Sequence, residues 1–379
     1  MGKRRLGVIL AGATGRIGVN QHLGRALVPL RQAPLRVGAD ELIIDPILVG
    51  RDAGKLQQVA GRFGIERWTT DLDGALSNRD DAVFFDCAAT GVRVANVRRA
   101  LQAGKHVLCD KPLAPAYAEA RELMQLAQGA SAKNGVIMAN LWLPGLRKLK
   151  SLVDAGFFER VLFIRGEHGY WVFDGEQRPG QRPSWNYRKE DGGGIVLDMM
   201  CHWHYMLESL FGRARRVTCA TRTCVGQRRD EQGRSYAATA DDTATVICEL
   251  DSGALAQINL SWTTRVRRDD LMVMQVDGTG GSAVTGIFEC LAQHRTQTPA
   301  LLWNAEDRAA VDHRAAWLPV PELPALGNAF RVQWELFLRH VCEDAPFPWD
   351  FAMAARGIEL VEKCYLSSEN YSWETLSAP

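Results

Sequence analysis

A chain of 379 residues is longer than one hydrophobic core usually organises, a limit near ~250 to 300 residues, so two domains are expected. With 46% hydrophobic residues, 23% charged residues and a formal net charge of +1, the composition is that of an ordinary globular protein, without the basic excess of a nucleic-acid binder. No uninterrupted apolar run reaches the ~20 residues of a membrane span, so the expected partner is a small molecule, with no nucleic acid and no membrane.

The opening MGKRRLGVILAGATG resembles a secretory leader only superficially. Its apolar run LGVILAGA is short, ends at Gly15 and Arg16, and reads as a first strand. The nine cysteines are odd in number, scattered and without a C-x-x-C pair, which suits reduced apolar fillers and a cytoplasmic location.

In chain order, LGVILAG (6 to 12) is followed by a helix over 16 to 30, PILVG (46 to 50) by a helix over 53 to 63, and AVFFDCA (82 to 88) by VRVANVRRALQAG. KHVLCD, a helix over 115 to 128 and GVIMAN (135 to 140) complete the series. Short apolar runs alternating with helical patterns predict a parallel sheet covered by helices, and the unbroken Val, Ile and Phe runs suit strands buried on both faces. After a connecting helix, LPGLRKLKSLVDAGFF, the segments RVLFIRGEHGYWVF, RRVTCATRTCV, DTATVICEL, GALAQINLSW and DLMVMQVDG predict a mostly antiparallel sheet, with hairpin signals at DSG and DGTGG. The polar stretch 226 to 242 reads as a mobile connection, and two helices, near 327 to 343 and 350 to 366, end the chain. The fold class is α/β: a doubly wound parallel-sheet domain over 1–140 and an α+β domain with a large, mostly antiparallel sheet over 141–379.

LAGATGRIG places Gly12, Gly15 and Gly18 between the first strand and its helix. Such glycines permit a tight turn and let backbone N–H groups approach a pyrophosphate at a helix N-terminus. The spacing is G-x-x-G-x-x-G, and on its own it is weak; the repeated βα units that follow strengthen it. At the end of the second strand, where an acid would hold a ribose 2'-hydroxyl, VGRD offers Gly50 and then Arg51, with Asp52 one place late, which leans toward NADP while leaving NAD open.

GGGIVLDMMCHWHYMLESLFG, residues 192 to 212, is a helix introduced by glycines. Asp198 and His202 are four apart and share a face; Cys201 and Tyr205 lie near it and His204 points away. A carboxylate and an imidazole so placed can abstract a proton, or form a structural pair. Asp198, Cys201 and His202 lack a second recognisable ligand pair, so no metal is expected. The stretch HVLCDKPLAP ends a buried strand on Asp110, Lys111 and Pro112; the charges form either a solvated turn or a lysine aimed into a site.

Taken together, the glycine turn, AGKHVLCDKPLA and Asp198-x-x-x-His202 resemble the glucose-fructose oxidoreductase and inositol dehydrogenase family (Gfo/Idh/MocA) over most of the chain. The resemblance implies a Rossmann domain, a nicotinamide dinucleotide, a homo-oligomer (dimer or tetramer), and a Lys-Pro lysine acting beside an aspartate and a histidine, which carry over as Lys111, Asp198 and His202. Asp110 stands where the family has glutamate, and the glycine turn has an extra residue, as in dihydrodipicolinate reductases. Residues expected at the NAD or NADP are Gly12, Thr14, Gly15, Arg16, Ile17, Arg51, Ala89, Asp110 and Lys111.

The implied reaction is reversible oxidation of a secondary hydroxyl of a sugar, cyclitol or glycoside, a class that includes aminoglycosides and other natural-product sugars, to a ketone. His202 takes the proton, Lys111 polarises the oxygen and Asp198 orients the pair. Trp142, Trp171, Trp185 and Tyr187 are ring candidates for packing on a polyhydroxylated substrate, the last two flanked by Asn186, Arg188 and Asp191. Lys111, Trp171, Trp185, Tyr187 and His202 are the residues expected at that substrate. A non-catalytic dinucleotide sensor and an imine or diene reductase are the competing classes. Retention of all three acid-base side chains argues against the sensor.

Overall fold

The computed structural model describes residues 2–300, 306 and 311–377. The chain forms two compact units, Met1–Ala139 with Leu326–Glu359, and Asn140–Ala325 with Leu360–Pro379.

In the first unit β1 (Gly2–Ala11) exposes Gly2, Lys3, Arg4 and Arg5 and buries the six residues that follow. A π-helical stretch, Gly18–Leu27, runs into α1 (Val28–Gln32). Then come β2 (Leu35–Val37), β3 (Asp40–Val49), α2 (Ala53–Phe63), β4 (Trp68–Thr69) and α3 (Leu72–Ser77). β5 (Val83–Asp86), α4 (Thr90–Gln102), β6 (His106–Cys109), α5 (Tyr117–Gly129) and β7 (Asn134–Val136) follow. The sheet order is β2-β3-β1-β5-β6-β7, with β4 also on β3; all pairs are parallel except β2 with β3. The chain winds outward from β1 in both directions, so the carboxyl ends of β1 and β5 flank the point where strand order reverses, the place at which open α/β sheets receive ligands.

β3 starts six residues before the apolar PILVG run. Its first half alternates, burying Leu42 and Ile44 and leaving Glu41 and Ile43 partly exposed, so it lacks the continuous run that marks a two-face-buried strand. β2 and β4 are too short to carry a period.

The second unit opens with α6 (Pro144–Asp154) and β8 (Val161–Gly169), and a π-helical turn, Val196–Met200, leads into α7 (Cys201–Phe211). Its strands are β9 (Ala214–Arg222), β10 (Gln227–Arg229), β11 (Ser235–Ala237), β12 (Thr243–Leu250), β13 (Leu255–Ser261), β14 (Met272–Gly278), β15 (Gly281–Thr285), β16 (Cys290–His294) and β17 (Leu318–Pro319). α8 (Ala329–Glu343), α9 (Phe351–Asn370) and β18 (Glu374–Thr375) end the described chain. The nine-stranded sheet runs β17-β16-β15-β14-β8-β13-β12-β9-β18, antiparallel except where β8 meets β13.

Two expectations need correction. The stretch 226 to 242 is no loose connection: β10 and β11 pair as a hairpin in it. Residues 326–359, which a boundary at 140 would give to the second domain, group with the first unit. Trp334, Phe337 and Leu338 of α8 share a core with Leu23, Ala26 and Leu27, because the apolar stripe of α8 completes the helix layer over the parallel sheet.

Candidate functional site

In the first unit the glycine turn is built by backbone. Gly12 and Ala13 donate to Val49 O at the end of β3 (3.1 and 3.3 Å), and Gly15 N donates to Gly12 O (3.0 Å). Gly12 has φ +80°, and a Cβ there would stand 2.5 Å from Ala88 N; at Gly18 it would stand 2.7 Å from Gly12 O and 2.8 Å from Cys87 Sγ. Side chains at either position would therefore force the β1 turn away from the β5 turn. The helix that opens here leaves its first N–H groups without intrahelical acceptors, as a pyrophosphate requires. Thr14 and Ile17 are half-buried and Gly15, Arg16 and Ala89 exposed, so the turn is open to a ligand. These features fit a dinucleotide.

Arg51 is exposed just past β3, and among the described residues no hydrogen bond or ion pair engages its side chain or that of Arg16. Asp52 is occupied locally: it caps α2, its Oδ1 accepting from Lys55 N at 3.0 Å.

At the carboxyl ends of β5 and β6 a buried network went unseen in the sequence. Asp86 accepts from Arg93 Nε (3.2 Å), Asn96 Nδ2 (2.8 Å) and Ala88 N (3.1 Å). Arg93 also donates to Ala88 O at 2.9 Å and to Pro112 O, so one guanidinium braces both turns that follow these strands. Nothing in the sequence of α4, which also carries Arg98 and Arg99, singled Arg93 out. Asp110 Oδ1 accepts from Lys111 N (2.9 Å), and Asp110 Oδ2 faces His22 Nε2 at 3.9 Å. Burial would push the Asp110 carboxyl up, but the facing His22 ring, Arg93 and Lys111 outweigh it and hold it at about 2. Lys111 is half-buried and joined to Pro112 by a cis peptide bond.

In the second unit Asp198 lies on the π-helical turn and His202 in the first turn of α7. Single π turns within helices occur often at functional sites. Asp198 Oδ2 accepts from Arg182 Nη2 at 2.6 Å, and the same nitrogen donates to Asn186 Oδ1 at 3.0 Å. His202 Nδ1 lies 2.7 Å from the Tyr205 hydroxyl and 3.3 Å from the Asn140 amide. Cys201 Sγ donates to Asp198 O (3.4 Å), and His204 is buried beside Glu208 (3.3 Å). No cluster of metal-ligating side chains occurs among the described residues.

Arg182 also stacks on Trp262 (4.2 Å to the ring centre), Trp262 meets Tyr187 edge-on (5.4 Å), and Arg228 covers the Tyr187 face (3.8 Å). Burial would lower the Arg182 pKa, but the charge and hydrogen bond of Asp198 raise it overall; burial drives the Tyr187 hydroxyl up to about 12. Tyr187, expected from the sequence at the substrate, is 3% exposed and sits within this stack. Trp185 is 49% exposed; Trp171 is half-buried under Arg265 (4.2 Å). Arg182, Trp262 and Asn140 escaped sequence reasoning because their partners are distant in the chain.

Residues 8–138 match the family model described as an oxidoreductase family with an NAD-binding Rossmann fold, and residues 146–284 match the GFO/IDH/MocA C-terminal domain. A D-xylose dehydrogenase of Paenarthrobacter nicotinovorans is 44% identical over 362 residues, covering 94% of this chain and 93% of that protein. A levoglucosan dehydrogenase of Pseudarthrobacter phenanthrenivorans is 23% identical over 284 residues, 71% of each. A solved levoglucosan dehydrogenase in complex with NADH and L-sorbose superposes with a TM-score of 0.81 at 20% identity, covering 98% of this chain and 99% of that one, a likeness of fold.

Proposed function

The chain belongs to the Gfo/Idh/MocA family of NAD-binding oxidoreductases, and from that premise we propose that it is a sugar dehydrogenase in which Lys111, Asp198 and His202 carry the acid-base work. The single observation that carries this reading is the local setting of His202. Its Nδ1 is engaged by the Tyr205 hydroxyl at 2.7 Å and by the Asn140 amide at 3.3 Å, which orient the ring as the base that accepts the substrate hydroxyl proton. Asp198, ion-paired with Arg182 at 2.6 Å, supplies a fixed negative charge that favours the imidazolium as it forms. Lys111 donates a hydrogen bond to the reacting oxygen. The bound nicotinamide supplies the hydride acceptor.

The substrate we favour is a free aldose. The relative that shares 44% identity is named a D-xylose dehydrogenase, which supports an aldopentose as the first compound to try. Oxidation at the anomeric carbon of a cyclic aldose yields a lactone, and at a ring carbinol a ketone; cyclitols and glycosides, aminoglycosides included, complete the panel. For the coenzyme, exposed Arg51 just past β3 supports NADP, because a 2'-phosphate is held by a cation there. A homo-oligomer through the open face of the large sheet is supported by Leu255 of β13, exposed on that sheet and paired in register with half-buried Phe163 of β8. Nine free thiols support a reducing, cytoplasmic setting, and among the described residues no helix is long and apolar enough to cross a membrane.

The test is kinetic. His202→Ala and Lys111→Ala are each expected to cut turnover of the best aldose by ~100-fold while coenzyme binding stays near wild type. Full turnover in either variant refutes the assignment of that residue.

A further inference from the structure

His22 is fully buried on the π-helical stretch Gly18–Leu27, its ring against Phe85 (centroids 4.3 Å) and edge-on to Phe330 (5.2 Å). An apolar ring would fill such a place without the cost of burying polar nitrogens. The two nitrogens are nevertheless aimed. Trp334 Nε1 lies 3.2 Å from His22 Nδ1, and an indole N–H can only donate. Nδ1 therefore accepts through its lone pair, and the ring N–H is on Nε2. That nitrogen is buried, has no hydrogen-bond partner, and stands 3.9 Å from Asp110 Oδ2. Closing this gap by about 1 Å would make a charge-assisted hydrogen bond of ~2.7 to 2.9 Å, a contraction common in catalytic sites once they are loaded. The other Asp110 oxygen already accepts the main-chain N–H of Lys111 at 2.9 Å.

We propose that Trp334 and His22 are positioning residues for Lys111: α8 orients the imidazole, the imidazole steadies the Asp110 carboxylate, and that carboxylate fixes the backbone from which Lys111 leaves β6. The proposal rests on Lys111 being the catalytic lysine. It gives α8, which comes more than 200 residues after β6, a part in the site beyond filling the core of its unit.

The experiment uses the full chain with aldose and coenzyme. His22→Phe keeps the ring packing and removes both nitrogens; His22→Gln keeps an N–H donor; Trp334→Phe removes only the indole donor. His22→Phe is expected to lower kcat about tenfold with coenzyme Kd and aldose KM near wild type, since the groups that bind either ligand are untouched. His22→Gln is expected to restore most of kcat. Trp334→Phe should lower kcat in the same direction, and the double variant His22→Phe/Trp334→Phe should fall no further than His22→Phe alone, as two members of one chain of contacts require. Wild-type kcat in His22→Phe overturns the proposal, as does a loss that Gln does not restore; if His22→Phe fails to fold, wild-type kcat in Trp334→Phe overturns it and a matching fall supports it. Lys111→Ala run alongside separates the failures: full turnover there removes the catalytic reading, whereas its loss with His22→Phe unchanged removes only the relay.

Discussion

Arg182 Nη2 lies 2.6 Å from Asp198 Oδ2, so the carboxylate four residues before His202 is shared with a guanidinium from the loop that precedes the helix. Both side chains are about a quarter exposed or less, so the pair is neither a weak surface contact nor a fully desolvated one. Arg182→Ala is expected to lower kcat ~10- to 100-fold by releasing Asp198, since misplacement of a catalytic group by ~1 Å can cost that much. Arg182→Lys should recover only part, because an ammonium lacks the planar guanidinium face that stacks on Trp262. Steady-state kinetics on the two variants checks this.

Gly12→Ala is expected to damage both fold and coenzyme binding. The added Cβ meets Ala88 N at 2.5 Å with φ at +80°, a strain of ~1 to 3 kcal/mol. At roughly 2 to 4 °C per kcal/mol the melting temperature should fall by several degrees, and NADH fluorescence titration should show weakened binding. An unchanged melting temperature would mean that the turn can relax.

Arg51→Ala should raise the KM for NADP by about tenfold and leave that for NAD nearly unchanged, as loss of one partly exposed charge-assisted hydrogen bond of ~1.5 kcal/mol predicts. The comparison is made with both coenzymes at saturating aldose. A strong preference for NAD in the wild-type protein would defeat the role given to Arg51.

Asp110 sets a pH dependence of stability. Its folded pKa, held at about 2 by His22, Arg93 and Lys111 against the opposing effect of burial, lies below the ordinary carboxyl value. The stabilisation is therefore complete above the unfolded value near ~4 and disappears as the pH falls through that range toward 2, amounting to ~2 kcal/mol at neutral pH. Asp110→Asn should reduce the melting temperature at pH 6 and by roughly half as much at pH 3. Calorimetry at the two values measures the difference, and an equal deficit at both would show that ionisation is not the cause.

The alternation of apolar strands and helical patterns, the glycine turn, and the Lys-Pro and Asp-x-x-x-His signatures were all legible along the chain. Each is local: a two-face-buried strand needs a continuous apolar run, a positive-φ turn needs glycine, and one helical turn sets the spacing of Asp198 and His202. Tertiary structure alone decided which groups steady those side chains. Arg93 braces two strand ends, Arg182 reaches Asp198 from a loop 16 residues away, and Trp334 meets His22 across 312 positions. It also packed Tyr187 into a stack with Trp262 and Arg228, and grouped α8 with the parallel sheet. Periodicity records which face of an element is buried, but it carries no label for the distant element that covers that face, and partners of charge and hydrogen bonding are chosen only when the chain closes on itself.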